Sequence, residues 1–191
     1  MSDGMALTID GWDAYMRELS ALPTAIRRHV AGKAVAAGAA VIRQEAVARA
    51  PLWPGPVGKK HPPPGTLKRA IYQARLSDEC SETLEVWKVD VRTGNRSKGR
   101  GANKGVVLGA YYAGWVERGH FTATPKGAGT KKARAEAGKL TGAVRWVMPQ
   151  PFMRPAFDTK AQDALRAMQQ SLDERLPDAV AAFEFVKARI K

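Results

Sequence analysis

The sequence predicts an α+β fold, in which a long N-terminal helix packs on a small, mainly antiparallel sheet with long basic loops, followed by C-terminal helices. Two observations lead to this prediction. Apolar residues recur at helical spacing over residues 24–48 and 156–176, whereas residues 82–93 have the alternation of a strand. Loops rich in Gly and Lys join the short strand-like segments, which is typical of an antiparallel sheet.

The N-terminal quarter of the chain is predicted to be helical. Residues 9–19 carry apolar side chains three and four residues apart, with Asp10 as the N-cap. Residues 24–48 repeat this pattern in an alanine-rich run. Small residues on one face of that run, Gly38 among them, indicate close packing by another element. We expect this helix to be the longest of the chain, to lie across the sheet and to end at Ala50-Pro51.

The next segment is dominated by proline. Residues 52–65 contain five prolines and three glycines, which exclude regular secondary structure and predict a stiff, partly polyproline-like loop. A structural arm or spacer is favoured over a recognition ligand. Residues 66–73 are predicted to form one or two helical turns, with Thr66 as the cap.

Residues 82–93 form the clearest predicted strand. Its apolar positions change phase between Val86 and Trp87, which indicates a bulge or a strand covered on both faces. Residues 94–105 are predicted to be a flexible basic loop. Residues 106–109 then form a second strand, which makes a hairpin with the first.

The rest of the chain is predicted to alternate between short elements and long helices. Helical turns at 111–118 precede a basic loop at 122–141 and a strand at 144–148. The helix over residues 156–176 is broken by Pro177, and residues 179–190 form a last helix. We therefore expect one domain over residues 1–176 and a helical extension over residues 177–191. The domain has a Pro-rich loop at 51–65 and basic loops at 94–105 and 122–141.

Positive charge is concentrated in one third of the chain. The formal net charge is +13, and residues 91–157 carry thirteen Lys and Arg against Glu117 and Glu136, a local balance of +11 (13 − 2). Such a one-sided distribution predicts a polyanionic partner. No base-reading motif or aromatic stacking platform is present, so phosphate contact without sequence readout is expected. The residues predicted to face DNA or a partner are Arg96, Lys98, Arg100, Lys104, Lys126, Lys131, Lys132 and Arg134.

Several classes of function are disfavoured by composition and motifs. Cys80 is the single cysteine, which excludes an intrachain disulfide framework and a Cys-based zinc site, and three scattered histidines provide few metal ligands. No phosphate-cradling glycine motif or nucleophile elbow occurs, and His120 near Glu117 lacks a nucleophile nearby in sequence. We expect no enzymatic activity, no cofactor, no metal and no membrane span, and synthesis in the cytoplasm.

Four segments occur in an order that resembles a known family. They are an Ala- and Val-rich helix ending in Ala50-Pro51, Gly-Thr-Leu-Lys-Arg-Ala-Ile at residues 65–71, Tyr-Ala-x-x-Val-Glu-x-Gly at 112–119, and Gln-Pro-Phe-x-Arg-Pro-Ala at 150–156. Each is weak alone. Together, over residues 19–176, they resemble the siphophage head–tail connector family, whose relatives are the tail-completion or neck proteins.

The resemblance implies a non-enzymatic virion protein of the phage neck. Copies would form a ring of six, with twelve as the alternative, between head-closure (stopper) proteins and tail-terminator or tail-tube proteins. Packaged double-stranded DNA would pass through the ring and meet it by nonspecific phosphate contact. The family's fold is similar to the one predicted above. This sequence departs from the family in its Pro-rich insert, in the long loop after Gly119 and in the helix after Pro177.

A ring requires heterologous contacts that close by rotation. For Phe152 and Phe157, packing in the core is an equal alternative to an interface role. Glu117 either pairs with Arg118 or Arg154 of a neighbouring copy or is solvated. The predicted interface residues are Tyr111, Tyr112, Trp115, Glu117, Phe152 and Arg154.

Two other functions stay open at the level of sequence. One is a free protein that binds duplex DNA nonspecifically, outside a virion, with a steep salt dependence. The other is a structural protein whose basic loops contact acidic protein surfaces and have no role with DNA.

Overall fold

The chain combines helices with small sheets, as predicted. The computed structural model describes residues 12–52, 63–81, 83–93, 109–122, 131–140 and 144–189. Their elements are α1 (Trp12–Ala21), α2 (Thr24–Arg49), α3 (Thr66–Ala70), β1 (Ile71–Arg75), β2 (Trp87–Val91), α4 (Ala113–Arg118), β3 (His120–Phe121), α5 (Lys131–Leu140), β4 (Trp146–Val147) and α6 (Met153–Arg189).

The chain divides into two compact units, each made of segments that are distant in sequence. The first comprises Met1–Arg49, Ile71–Asp90 and Pro155–Lys191, and the second comprises Ala50–Ala70 and Val91–Arg154. The predicted boundary between residues 176 and 177 has no counterpart in the secondary structure, because α6 continues through it.

The core of the first unit lies among α1, α2 and α6. At its edge, the Tyr15 hydroxyl donates a 2.5 Å hydrogen bond to the Asp173 carboxylate, which joins α1 to α6. Burying each large aliphatic side chain contributes about 1.5–3 kcal/mol, so these contacts hold the three helices together. The buried residues of this cluster are Leu19, Leu22, Val30, Ala34, Leu172 and Leu176.

Helix α2 packs on β1, which confirms the predicted arrangement of helix on sheet. The Gln73 amide donates to the Ala36 carbonyl at 3.2 Å and accepts from Arg43 Nε at the same distance. Strands β1 and β2 form a two-stranded sheet. Its antiparallel direction is shown by two flanking backbone bonds, from Leu76 to Val86 and from Arg92 to Ala70, both 2.9 Å.

Helix α6, and not α2, is the longest helix of the described residues, with 37 residues against 26. The predicted break at Pro177 is wrong. An interior proline removes one backbone hydrogen bond and costs about 3 kcal/mol. The helix continues because residues on both sides of Pro177, Leu176 before it and Val180 after it, contact the same core cluster.

Three other expectations about secondary structure need correction. Helical turns were predicted over residues 66–73, but the helix ends at Ala70 and residues 71–75 form strand β1. The apolar pattern changes phase between Val86 and Trp87 because β2 begins only at Trp87, and not because the strand contains a bulge. Residues 131–140 form helix α5 within a stretch predicted to be a loop.

Part of the prediction lies outside the described residues. This applies to the Asp10 cap, to most of the Pro-rich loop and to the proposed hairpin strand at 106–108. Thr66 is the first residue of α3, and its hydroxyl donates to the Pro63 carbonyl at 2.6 Å, so it does not act as an accepting N-cap.

The small face of α2 allows α6 to approach closely, as the sequence predicted. A Cβ built on Gly38 would lie 2.7 Å from Met168 Cγ and 3.1 Å from the Ala164 carbonyl oxygen. We expect Gly38→Val to lower the free energy of unfolding by about 1–2 kcal/mol, as overpacking of a close contact does. Urea denaturation followed by circular dichroism measures it.

Gly32 provides the matched control in the same helix. A Cβ there would meet only the Glu85 carboxylate, at an ordinary 3.7 Å. Gly32→Ala should therefore stabilise the protein by up to about 1 kcal/mol through helix propensity. Equal tolerance of both substitutions would contradict the close contact between α2 and α6.

Candidate functional site

Two of the segments that carry the family resemblance meet in the second unit. The first contains α4, whose first turn is closed by the Tyr112 carbonyl accepting from the Trp115 and Val116 amides at 2.9 and 3.0 Å. The second contains the start of α6. The Gln150 amide donates to the Val116 carbonyl at 2.8 Å and brings the second segment against the end of α4.

The Glu117 carboxylate binds the N terminus of α6. One oxygen accepts from the backbone amides of Phe152 (2.8 Å) and Met153 (3.1 Å), and the other accepts from that of Arg154 (3.1 Å). We call this group of contacts the Glu117 clamp. A carboxylate at the N terminus of a helix is also favoured by the helix dipole.

The clamp provides acceptors for all the backbone N–H groups at the start of α6 that have no partner within the helix. A helix leaves its first four backbone N–H groups without intrahelical acceptors. Here the first three belong to Phe152, Met153 and Arg154, and Glu117 accepts from each. The fourth residue, Pro155, has no N–H. Phe152 cannot cap the helix with its own side chain, so the glutamate 35 residues earlier in the chain supplies the cap.

The clamp also determines the ionisation of Glu117. Partial burial alone would raise the pKa of this carboxyl. The three backbone donors and the positive charge of Arg154 outweigh burial, and the pKa is lowered from its ordinary value of 4.5. Glu117 is therefore ionised at neutral pH and acts as an acceptor, not as a proton donor.

Two of the predicted interface residues are thus engaged within the chain. Phe152 is 1% exposed, so its ring belongs to the core, which was the alternative left open by the sequence. Both Glu117 oxygens accept hydrogen bonds from its own chain, and it is therefore not the solvated glutamate considered above. Arg154 is exposed and Tyr112 is half-buried.

Gly119 ends α4 and allows the chain to turn into β3. It has φ +74°, and a Cβ on it would lie 2.6 Å from the Trp146 ring and 2.8 Å from the Val147 carbonyl oxygen. We expect Gly119→Ala to lower the free energy of unfolding by about 2 kcal/mol, because backbone strain and a clash with backbone combine. Thermal or urea unfolding would show it.

Gly114 is the control for that substitution. A Cβ there would meet only the end of the flexible Arg118 side chain, at 3.0 Å, and its φ is not in the positive region. Gly114→Ala should be neutral or slightly stabilising. A Gly119→Ala variant as stable as Gly114→Ala would contradict the role assigned to Gly119.

Strands β3 and β4 form a short antiparallel ribbon, with His120 opposite Val147 and Phe121 opposite Trp146. Thr122 and Arg145 extend it through a 2.8 Å backbone bond. We call the exposed surface of α4 and this ribbon the aromatic ribbon; its members are Tyr111, Trp115, His120, Phe121 and Trp146.

The aromatic ribbon is unusually exposed for its composition. Tyr111, Trp115, Phe121 and Trp146 are each between 47% and 60% exposed. Trp115 stacks on His120 with 5.5 Å between ring centroids, and Phe121 meets Trp146 edge-on at 4.9 Å. Contiguous exposed apolar surface of this kind marks interaction sites. The sequence identified Tyr111 and Trp115 but missed Phe121 and Trp146, which lie in a predicted loop and strand.

The predicted basic residues are only partly described. Arg96, Lys98, Arg100, Lys104 and Lys126 lie outside the described residues. Lys131 and Lys132 begin α5, where Lys132 is exposed, and Arg134 of the same helix is half-buried. Exposed positive charge also flanks the aromatic ribbon, at Arg118 and Arg145.

Two kinds of feature are absent from the described part of the chain. Within it, no group of three or more His, Cys, Asp or Glu side chains is arranged to hold a metal ion. None of its helices is long and apolar enough to cross a membrane. No protein-family model matches the chain, and neither the curated proteins nor the solved structures include a similar one.

Proposed function

We propose that this chain is a structural protein of the phage neck, which forms a ring that joins the DNA-filled head to the tail and surrounds the DNA channel. The Glu117 clamp is the observation that carries the proposal. The two most distinctive segments of the resemblance, at residues 112–119 and 150–156, form one hydrogen-bonded unit through Glu117 and Gln150. The joining of these two segments in one structural unit supports a shared role for them.

The geometry supports an assembly role over catalysis. The clamp fixes the start of α6 to the end of α4, which provides a rigid base for the aromatic ribbon. A rigid base lowers the entropy lost on association. Exposed aromatic side chains flanked by arginine are typical of protein interfaces. The one carboxylate at the site is occupied by backbone amides and ionised, so it has no free proton to donate.

The excess of positive charge supports proximity to DNA in the assembled ring. Phosphate contact without base readout holds duplex DNA through many weak, salt-dependent interactions. Such contacts suit a channel, because DNA must pass through it during ejection. The surrounding ring would present several copies of each basic segment to the duplex.

Electron microscopy of a lysate from a phage or prophage lacking this gene tests the proposal. The expected result is DNA-filled heads beside separate, finished tails, with joined particles restored by the wild-type gene supplied in trans. Normal joined particles without the gene would overturn the proposal, and salt-dependent duplex binding by the purified chain would then support the free DNA-binding function.

A charge-reversal variant separates contact with DNA from contact with protein. Arg96, Lys98 and Arg100 are changed to glutamate in the complemented phage, with reversal of the exposed Arg28 and Lys33 as the control. Loss of DNA retention with intact assembly would support the channel role. Failure to assemble would assign these residues to an acidic protein surface instead.

A further inference from the structure

The first unit contains a groove between α1 and α6. It encloses about 650 Å³, and its apolar lining includes Leu22, Pro177 and Val180. Glu18 and Glu184 also line it. Phe185, which follows Glu184 on α6, is 63% exposed. A concave apolar surface bordered by acids suits a partner that is apolar and basic.

The groove is acidic, although the chain as a whole carries a net charge of +13. The described residues that line it include two acids, Glu18 and Glu184, and no base. We call it the acidic groove.

The aromatic ribbon has the complementary properties. Phe121 and Trp146 share one face of the strand pair and are exposed, and His120 lies on the other face, where it stacks on Trp115. Arg118 and Arg145 are exposed beside it. Glu117, which precedes Arg118, accepts from backbone amides in the clamp. The chain thus carries a basic aromatic projection and an acidic apolar groove on two different units.

We propose that the aromatic ribbon of one copy docks in the acidic groove of the next copy. This inference deepens the proposed function, on which it rests, by naming the two surfaces that join copies in the ring. The contact is heterologous, so an open chain of copies keeps one unused ribbon at one end and one unused groove at the other until the ring closes. A symmetric contact between two ribbons would place Arg118 and Arg145 of one copy against the same arginines of the other, and the repulsion between like charges disfavours it.

Both surfaces benefit from this pairing. A two-stranded ribbon is marginally stable in water without further packing, and burial in the groove would remove the exposed rings of Phe121 and Trp146 from solvent. Glu18 and Glu184 would lie near Arg118 and Arg145. Complementary charge of this kind orients partners and accelerates encounter. Duplex DNA, as another polyanion, would be repelled from the acidic groove.

Two charge-reversed variants of the full chain test the docking. The ribbon variant carries Arg118→Glu and Arg145→Glu, and the groove variant carries Glu18→Lys and Glu184→Lys. Sedimentation equilibrium and chemical crosslinking, over a range of protein concentrations at low salt, measure self-association. Each variant alone should associate at least about tenfold more weakly than wild type, because like charges then face each other.

Recovery of self-association when the two variants are combined distinguishes a lost docking contact from misfolding of the variants. An equimolar mixture of the two variants should regain association, because the acidic ribbon of one meets the basic groove of the other. The chain with all four changes should also regain it. Glu79→Lys with Asp158→Lys, two exposed acids that do not line the groove, is the matched control and should associate like wild type.

Other outcomes would overturn the docking. Wild-type protein that stays monomeric at every concentration, or reversed variants that associate normally, would contradict it, and so would a mixture that fails to regain association. If the ribbon instead binds duplex DNA, the ribbon variant should lose DNA binding while its self-association stays unchanged. The gene-deletion micrographs are independent of these results, so failure of the docking and failure of the neck function can be told apart.

Discussion

Glu117→Ala is expected to lower the free energy of unfolding by about 3 kcal/mol at neutral pH. The substitution removes one carboxylate that accepts from three backbone amides, and hydrogen bonds to a charged group contribute about 1.5–3 kcal/mol each when lost singly. The losses are not additive, because one side chain makes all three bonds. Phe152, Met153 and Arg154 would keep donors with no acceptor in the chain. Urea denaturation at pH 7 measures the effect.

The contribution of Glu117 should depend on pH in a defined direction. Its folded pKa is lowered from 4.5, with the backbone donors and Arg154 outweighing burial. A group of this kind stabilises the fold above its unfolded pKa, and the contribution is lost as the pH falls through the folded value. The stability difference between wild type and Glu117→Gln should therefore be constant above about pH 5.5 and shrink below pH 4.5.

Glu79→Gln is the control for these measurements, because Glu79 is an exposed glutamate in a turn. It should change stability by no more than about 0.5 kcal/mol at any pH in this range. A Glu117→Gln difference that persisted unchanged at pH 3 would contradict the ionised clamp. So would a Glu117→Ala variant as stable as the control.

Phe152→Ala is expected to have the largest effect of any single change, a loss of about 3–5 kcal/mol, which is typical of deleting a buried aromatic side chain. Phe152 is 1% exposed, whereas Phe157, five residues later in the same segment, is 52% exposed. Phe157→Ala should cost less than about 1 kcal/mol. Thermal denaturation of the two variants side by side measures the difference.

Similar losses in the two phenylalanine variants would contradict the assignment of Phe152 to the core. A control on the clamp is available in the same experiment. Phe152→Leu keeps the backbone donor and most of the apolar volume, so it should recover much of the stability that alanine loses. Recovery would show that the ring fills space in the core and that the Glu117 bond to its amide is a separate contribution.

The helices α2 and α4 could be predicted from sequence because their patterns are local. The run from Thr24 has alanine and apolar residues at helical spacing, and an Ala-Pro pair follows its end. Strand β1 could not be predicted in this way. Ile71 to Arg75 follows directly on helix α3, and its strand conformation comes from pairing with β2 and from the Gln73 bond to α2, both distant in sequence.

At Pro177 a local sequence signal predicted a helix end that the structure does not have. Proline is a strong local signal for a helix end, but α6 continues because core contacts on both sides of it outweigh one missing hydrogen bond. Burial of Leu172, Leu176 and Val180 against α1 and α2 depends on the tertiary structure and leaves no mark near the proline itself.

Tyr111 and Trp115 of the aromatic ribbon were predictable from sequence, whereas Phe121, Trp146 and the clamp were not. Tyr111 and Trp115 were identified as unusual because three aromatic residues fall within a few positions of each other. Glu117 was assigned to solvent or to a neighbouring arginine, since its partners are backbone amides, which carry no sequence signature. One signal was present: α6 begins without Ser, Thr, Asp or Asn at position 152, so its cap had to come from elsewhere.

The clamp has a consequence for how this protein can vary in length. Glu117 and the Gln150 bond to Val116 fix both ends of the intervening chain at one point. Closing a loop costs free energy only with the logarithm of its length, about 0.6 kcal/mol for each doubling. Insertions or deletions between residues 123 and 130 should therefore be tolerated while the base is kept. The length of this segment and its number of basic residues can therefore change during evolution to suit a new partner, while the fold of the remaining chain is kept.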